Sequence, residues 1–105
     1  NVILNHIKDN DFINNATIVM GDLNAEPGDA PIKLLAENLE DSFNFFPIEK
    51  PFGTFNGFDL ESKLLNRIDY IFTKNLEVLE YKHIQKKLSN KLWPSDHLPI
   101  FISIN

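Results

Sequence analysis

Two hydrophobic spacings recur along the chain, and each predicts a different element. Apolar positions within 2–7 recur with helical spacing and predict a helix whose start lies before the first residue. The apolar run 16–20 stops at a Gly-Asp pair, which is typical of a strand covered on both faces. Turn residues then lead to Asp29 as a helix N-cap, with Pro31 in the first turn, and the apolar spacing within 32–39 predicts a second, amphipathic helix.

The stretch "RIDYIFTKN" alternates in the manner of a strand. Ile68, Tyr70 and Phe72 share one face, whereas Asp69 and Ile71 share the other. A carboxylate therefore lies within a strand that is otherwise strongly apolar.

Further strands are predicted at 76–84 and 98–104, and the irregular segment 40–57 is expected to contain one short strand near 54–56. The order of helix, strand, helix and several strands predicts a layered α/β fold, of α+β character. It is expected to contain one mixed β-sheet with helices on one face.

Composition limits the chemistry that this chain can perform. Its 105 residues fit at most one domain, and no apolar run is long enough to span a membrane, so a soluble domain of unidentified compartment is predicted. The absence of cysteine leaves carboxylate, imidazole and amide as metal ligands, which suit Mg²⁺, Mn²⁺ or Ca²⁺. The net charge of −5 argues mildly against DNA binding.

Polar residues interrupt the predicted strands at three places, namely Asp22 with Asn24, Asp69, and the adjacent pair Asp96-His97. Taken singly, Asp22 and the Asp-His pair are consistent with ordinary solvated turns. A charge at Asp69 needs a partner, because burying an unpaired carboxylate costs several kcal/mol. The imidazole of His97 is the natural donor if the two segments are neighbours, and the carboxylate of Asp96 would then be available for a hard cation.

Four motifs, "GDLN", "GTFNGF", "RIDYIF" and "SDHLP", occur in this order along most of the chain. In this order they resemble the C-terminal half of the endonuclease/exonuclease/phosphatase superfamily. The resemblance implies that residues 1–105 are the C-terminal portion of a single domain whose N-terminal half is absent. It also implies half of a four-layer α/β/β/α sandwich and divalent-metal-dependent hydrolysis of a phosphoester.

The same resemblance implies a role for each site residue. Asp22 matches the aspartate that orients and deprotonates the attacking water, and Asn24 matches the amide that holds phosphate or nucleophile. Asp69 matches the carboxylate paired to the catalytic histidine, and His97 matches that histidine, which contacts the scissile phosphate. Asp96 matches an aspartate that helps to bind the metal.

Four further residues are candidates for substrate contacts. Thr54, Asn56 and Phe58 in "GTFNGF" either line the substrate entrance or form a tight turn bounded by glycines. Asn56 stands at a position where some branches of the family have histidine. Trp93 is either a lid over the site or a half-buried anchor of its loop.

The substrate class and the activity of the chain alone remain open to alternatives. The expected partners are a phosphoester (nucleic acid, phospholipid head group, or sugar or inositol phosphate) and the N-terminal half of the domain. Alternatives are a magnesium-dependent endonuclease or exonuclease acting on DNA or RNA, and a non-catalytic binding module. The fragment alone is expected to be inactive and to self-associate through an exposed sheet face.

Overall fold

The computed structural model describes residues 2–10 and 14–105, and these form the mixed α/β structure that the sequence predicts. The elements, in chain order, are α1 (Val2–Asp9), β1 (Thr17–Asp22), α2 (Ala30–Asn38), β2 (Glu40–Asp41), a 3₁₀ turn (Ser42–Phe45), β3 (Asp69–Lys74), β4 (Val78–His83) and β5 (Ile100–Ile104). Asn1, the first position of the predicted N-terminal helix, lies outside the described residues. Neither described helix has the length and apolarity needed to cross a membrane.

The strands form two small antiparallel sheets, which corrects the expectation of a single mixed sheet. One sheet has the order β1-β3-β2, and in the other β4 pairs with β5. Asn75 turns the chain with a left-handed conformation (φ 59°) after β3, and β4 then pairs with β5 instead of with β3. Alternation of side chains fixes the two faces of a strand but not its partner, so these pairings were not accessible from the pattern.

Both helices cover the same face of the three-stranded sheet. Leu4 and Ile7 of α1 join Leu35 of α2 in one buried cluster with Tyr70 and Phe72 of β3. The Tyr70 and Phe72 rings stack with centroids 5.5 Å apart. The predicted placement of helices on one sheet face is therefore confirmed for the β1-β3-β2 sheet.

The second helix begins where the sequence predicts, although Asp29 does not act as a side-chain cap. Its carboxylate accepts a hydrogen bond from the backbone N–H of Glu26 at 2.8 Å and so closes the preceding turn. Pro31 lies in the first turn of the helix, where a backbone N–H would have no partner within the helix, so proline is tolerated there.

The opposite face of the three-stranded sheet carries the acidic residues and an open apolar surface. Directly opposed residues of an antiparallel pair share a face, so Asp22 lies with Asp69 and Met20 lies with Ile71. Met20 is 72% exposed and Ile18, farther along the same strand, is also exposed. On this face the acidic residues therefore lie at one end of the strands, and the exposed apolar residues lie along the rest of β1.

A buried ion pair connects β2 to the segment that precedes β3. The Arg67 guanidinium donates to both carboxylate oxygens of Asp41 at 2.9 and 3.2 Å, and it lies over the Phe43 ring at 4.1 Å. Asp41 also accepts the N–H of Phe43 and thereby caps the 3₁₀ turn. The sequence predicted an irregular segment from residue 40. The start of that segment is instead ordered by the bond between Asp41 and Arg67, which lie 26 residues apart in sequence.

The short strand predicted near 54–56 is also absent from the described residues. Phe55 instead makes a single antiparallel bridge with His97. This one bridge joins the "GTFNGF" segment to the loop that precedes β5.

Candidate active site

Asp22 and Asp69 face each other at one end of the three-stranded sheet. The first strand ends at Asp22, β3 begins at Asp69, and the two residues are directly opposite in the antiparallel register. Opposed Cβ atoms in such pairs lie about 4.5–5.5 Å apart, so the two carboxylates share one corner of the sheet.

The imidazole of His97 lies between these two carboxylates. Its Nδ1 is 2.8 Å from Oδ2 of Asp69, whose side chain is only 14% exposed, and its Nε2 is 3.8 Å from Oδ2 of Asp22. A carboxylate accepts and does not donate, so Nδ1 carries the hydrogen in this bond. The contact therefore selects the Nδ1–H tautomer of the neutral ring and leaves Nε2 facing the more exposed Asp22.

The acidic surroundings raise the pKa of His97 above its ordinary value. The hydrogen bond to Asp69 is the largest cause, and the charges of Asp69, Asp22 and Asp96 act in the same direction. Burial acts in the opposite direction and is outweighed. The surroundings thus favour the protonated ring more than those of an ordinary histidine do, and an imidazolium is a cationic hydrogen-bond donor suited to a phosphate oxygen.

The donor set at this corner suits a hard divalent cation. Oxygen and nitrogen atoms of Asp22, Asp69 and His97 lie within 4.8 Å of one another. Asp96 Oδ1 is 4.0 Å from His97 Nε2, on the side that Asp22 also faces. Because Asp69 is already bonded to Nδ1, the half-exposed carboxylates of Asp22 and Asp96 could serve as oxygen ligands for Mg²⁺ or Mn²⁺.

The loop after β1 presents Asn24 beside Asp22. The backbone N–H of Asn24 donates to Asp22 Oδ1 at 2.8 Å, and Asn24 itself adopts a left-handed conformation with φ 48°. The hydroxyl of Tyr70 donates to the carbonyl oxygen of Ala25 at 2.7 Å, which holds the following turn against the sheet. The side chain of Asn24 is exposed, and these two bonds hold the loop on either side of it.

Thr54 and Asn56 are buried beneath the site, a placement that corresponds to the tight turn, not the substrate entrance, of the two alternatives that the sequence left open. Thr54 is fully buried, and its hydroxyl accepts hydrogen bonds from the N–H groups of Ile68 and Asp69. Asn56 is also buried, and its Nδ2 donates to the carbonyl oxygen of Ser95 at 2.9 Å. Backbone groups thus occupy the polar atoms that were expected to meet substrate.

Phe58 and Trp93 have opposite environments. Phe58 is 61% exposed, so it remains available for a substrate contact. Trp93 is buried against Leu64 and Leu98, and its Nε1 donates to the carbonyl oxygen of Asp59 at 3.3 Å. Its placement corresponds to the loop anchor, not the lid, of the two alternatives that the sequence left open.

A shallow cleft of about 210 Å³ opens beside the two strand ends. Its lining combines the acidic corner with the apolar floor of the sheet and the start of β5: Met20, Gly21, Asp22, Asp69, Tyr70, Ile71, Leu98 and Ile100. A small charged group can therefore reach the Asp22–Asp69 corner from the open sheet face.

Phe55 is a site residue that the sequence interpretation missed. Its ring meets the His97 ring edge-on, with centroids 5.1 Å apart and planes at 69°. Phe55 lies between Thr54 and Asn56, and side chains alternate along an extended segment, so an outward-facing aromatic at this position was a signal in the sequence.

Comparison with known proteins identifies the family. The model of the Endonuclease/Exonuclease/phosphatase family matches residues 2–97. The chain belongs to this family. None of the curated proteins compared with the chain is significantly similar to it in sequence.

Solved structures of similar proteins agree with this membership. A functionally unknown conserved protein from Enterococcus faecalis V583 is 31% identical, with a TM-score of 0.88, and the match covers 99% of this chain and 41% of that one. An endonuclease/exonuclease/phosphatase family protein from Bacteroides thetaiotaomicron is 26% identical, with a TM-score of 0.75 and coverages of 98% and 42%.

A mannosyl-6-phosphatase from Bacteroides thetaiotaomicron VPI-5482 also has this fold. It is 24% identical, with a TM-score of 0.77, and the match covers 99% of this chain and 43% of that protein. At this identity the likeness concerns the fold alone. In all three comparisons the chain spans less than half the length of the solved structure.

Proposed function

We propose that the complete protein containing this chain hydrolyses a phosphoester, as a phosphodiesterase or phosphatase, by in-line attack of water with a divalent metal. Family membership implies phosphoester hydrolysis in general. The observation that carries the specific proposal is the His97 ring, bonded to Asp69 at 2.8 Å through Nδ1 and 3.8 Å from Asp22 through Nε2. An imidazole oriented by a carboxylate through Nδ1 can present its Nε2 to a phosphate oxygen as a cationic hydrogen-bond donor.

Each residue has a distinct part in the proposed reaction. Asp22 orients the attacking water and accepts its proton, and Asn24 supplies an amide donor to the phosphate or the nucleophile. The imidazolium of His97 donates to a non-bridging phosphate oxygen, and Asp69 keeps the ring charged and oriented. Asp96 would help to hold a Mg²⁺ or Mn²⁺ ion, which would supply Lewis-acid stabilisation of the charge that develops on phosphate.

The chain is proposed to be the C-terminal portion of one domain, half of a four-layer α/β/β/α sandwich. Its coverage of only 41–43% of the solved relatives supports this, as does the exposed apolar face around Met20. The N-terminal half would pack on that face and complete the metal site. The 105-residue chain alone is expected to bind metal weakly and to have negligible activity.

The test is an assay of the complete protein with Mg²⁺ against a panel of plasmid DNA, oligo(A), inositol phosphates, sphingomyelin and a generic phosphodiester. We expect hydrolysis of at least one phosphoester, and we expect His97→Asn to lower kcat/KM by about 10²–10⁴-fold. His6→Asn, on the helix side of the sheet, is the matched control and should leave activity unchanged. Chelation should abolish turnover, and added Mg²⁺ should restore it.

Two other outcomes of the panel separate the alternatives. Activity confined to DNA or oligo(A) would assign the protein as a nuclease, a candidate that four lysines close together in sequence support (Lys82, Lys86, Lys87 and Lys91). Complete inertness without metal binding would favour a non-catalytic module and overturn the proposal.

A further inference from the structure

The segment Gly53–Gly57, here named the bracket, has Gly53, Thr54 and Asn56 buried, and it lies between the two elements that supply the Asp69–His97 pair. Asp69 begins β3, whereas His97 belongs to a loop 28 residues later. The short strand β2 pairs with β3 only at Phe72 and Thr73, so the start of β3 lies beyond its reach. Another part of the chain must therefore hold Asp69 on that side.

On one side the bracket holds the start of β3. The Thr54 hydroxyl accepts hydrogen bonds from the N–H groups of Ile68 and Asp69 at 3.0 and 3.2 Å. The Thr54 N–H donates to the carbonyl oxygen of Asn66 at 2.9 Å. A single side-chain oxygen thus satisfies two backbone donors that fix the direction in which the Asp69 carboxylate leaves the strand.

On its other side the bracket holds the loop that carries His97. The carbonyl oxygen of Thr54 accepts the N–H of Leu98 at 2.7 Å, and the N–H of Asn56 donates to the carbonyl oxygen of Asp96 at 2.8 Å. The side-chain amide of Asn56 donates to the carbonyl oxygen of Ser95. Residues on both sides of His97 are therefore bonded to the segment that also bonds Asp69.

The close packing of the bracket explains its first glycine. A Cβ atom at Gly53 would overlap the backbone of Leu64, which is the partner of the Gly53 N–H. Only glycine permits this approach, and it brings Thr54 close enough to β3 for its hydroxyl to bond there.

We propose that Thr54 and Asn56 are positioning residues, which set the Asp69 carboxylate and the His97 imidazole at bonding distance without touching substrate. This inference rests on the proposed function, because the pair it aligns is the one assigned to phosphate. Thr54 acts on Asp69 and Asn56 acts on the loop of His97. The removal of either bond should loosen the pair while leaving its two members chemically intact.

The chain contains a matched control for a substitution at Thr54. Thr73 is also fully buried, and it lies on the same strand and face as Asp69, but its hydroxyl has no hydrogen-bond partner in the described part of the chain. Thr54→Val and Thr73→Val remove the same hydroxyl and retain the same shape. Only Thr54→Val removes a hydroxyl that accepts the N–H groups of Ile68 and Asp69.

The experiment measures the tautomer of His97 by long-range ¹H–¹⁵N correlation in the metal-free chain, at a pH where the ring is neutral. Thr73→Val should keep the Nδ1–H tautomer of the unmodified chain. Thr54→Val should lower the Nδ1–H fraction about twofold or more and speed hydrogen exchange at the Asp69 amide, whereas Thr54→Ser should preserve both.

If Thr54→Val does not fold, Asn56→Ala provides the second variant, with the same expected loss of the Nδ1–H tautomer. A folded Thr54→Val or Asn56→Ala chain with the tautomer of Thr73→Val would overturn the proposal. In the complete protein, Thr54→Val should lower kcat while KM stays near its original value. The tautomer needs no turnover, so failure of the proposed hydrolysis and failure of this inference are distinguishable.

Discussion

His97 links the site to stability through its own proton. Its pKa is raised chiefly by the hydrogen bond to Asp69, so the folded chain holds the proton more tightly than the unfolded chain does. The stabilisation is therefore fully present below the ordinary histidine pKa of 6.5, and it is lost as the pH rises through the raised value of the folded state.

Asp69→Asn tests this linkage. The amide retains the size of the carboxylate but not its charge, so the pKa of His97 should fall. The free energy of unfolding should decrease by about 1 kcal/mol in acidic solution, where the ring is protonated, and this decrease is modest because the ring is partly exposed. The decrease should be smaller at a pH where the ring is neutral. Urea unfolding at two pH values and an NMR titration of His97 measure the two effects.

Glu37→Gln is the control for Asp69→Asn. It removes one negative charge from the exposed side of α2, away from His97, and should leave the titration unchanged. Equal His97 titrations in Asp69→Asn and in the unmodified chain would contradict the assigned cause of the pKa shift.

The sequence allowed some residues of the site to be predicted better than others. Asp69 was conspicuous because a carboxylate inside an apolar strand needs a partner, and His97 was the available donor. The place of Thr54 and Asn56 stayed open because a small polar residue in a glycine-bounded segment suits a turn, a substrate contact or a buried acceptor equally well. Their bonds to backbone groups depend on tertiary packing that no local pattern encodes.

At the scale of elements, a buried ion pair holds a strand that is too short to be held by strand pairing alone. The strand β2 is only two residues long, and its Asp41 is held by the guanidinium of Arg67 just before β3. The sequence offered no means of selecting Asp41 as the partner of Arg67. Helix positions were predictable because their period is local, whereas strand partners and this ion pair were not.

Asp41→Asn should destabilise the chain strongly. It leaves the buried guanidinium of Arg67 without a counter-charge, and breaking such a pair on one side costs about 3–5 kcal/mol. A loss of this size approaches the whole stability of a small domain, so the midpoint of urea unfolding should fall sharply or the chain should not fold.

Glu80→Gln is the matched comparison for Asp41→Asn. Glu80 pairs with Lys82 at 3.5 Å, but both side chains are 52% exposed. Removing this charge should change the free energy of unfolding by less than about 0.5 kcal/mol. Equal midpoints for the two variants would show that burial of the Arg67 pair has no energetic consequence.

At the scale of the whole molecule, helices cover one face of the three-stranded sheet, and the other face is open along β1. Two helices bury Tyr70 and Phe72, while Met20 and Ile18 lie exposed on the opposite side. The position of the acidic corner at the end of this open face means that whatever covers the apolar part also borders the site. We therefore expect the isolated chain to self-associate through this face.

Met20→Lys should weaken that association. A buried methionine contributes about 1.5–3 kcal/mol, so placing a charge there should raise the dimer dissociation constant by about tenfold or more in analytical ultracentrifugation. Leu34→Lys, at a partly exposed apolar position on α2, is the control and should leave the constant unchanged. If the unmodified chain stays monomeric at every concentration, or if both variants weaken association equally, the open sheet face is not the contact. Restoring the N-terminal half in the same polypeptide should abolish association without any substitution, because that half would then cover Met20.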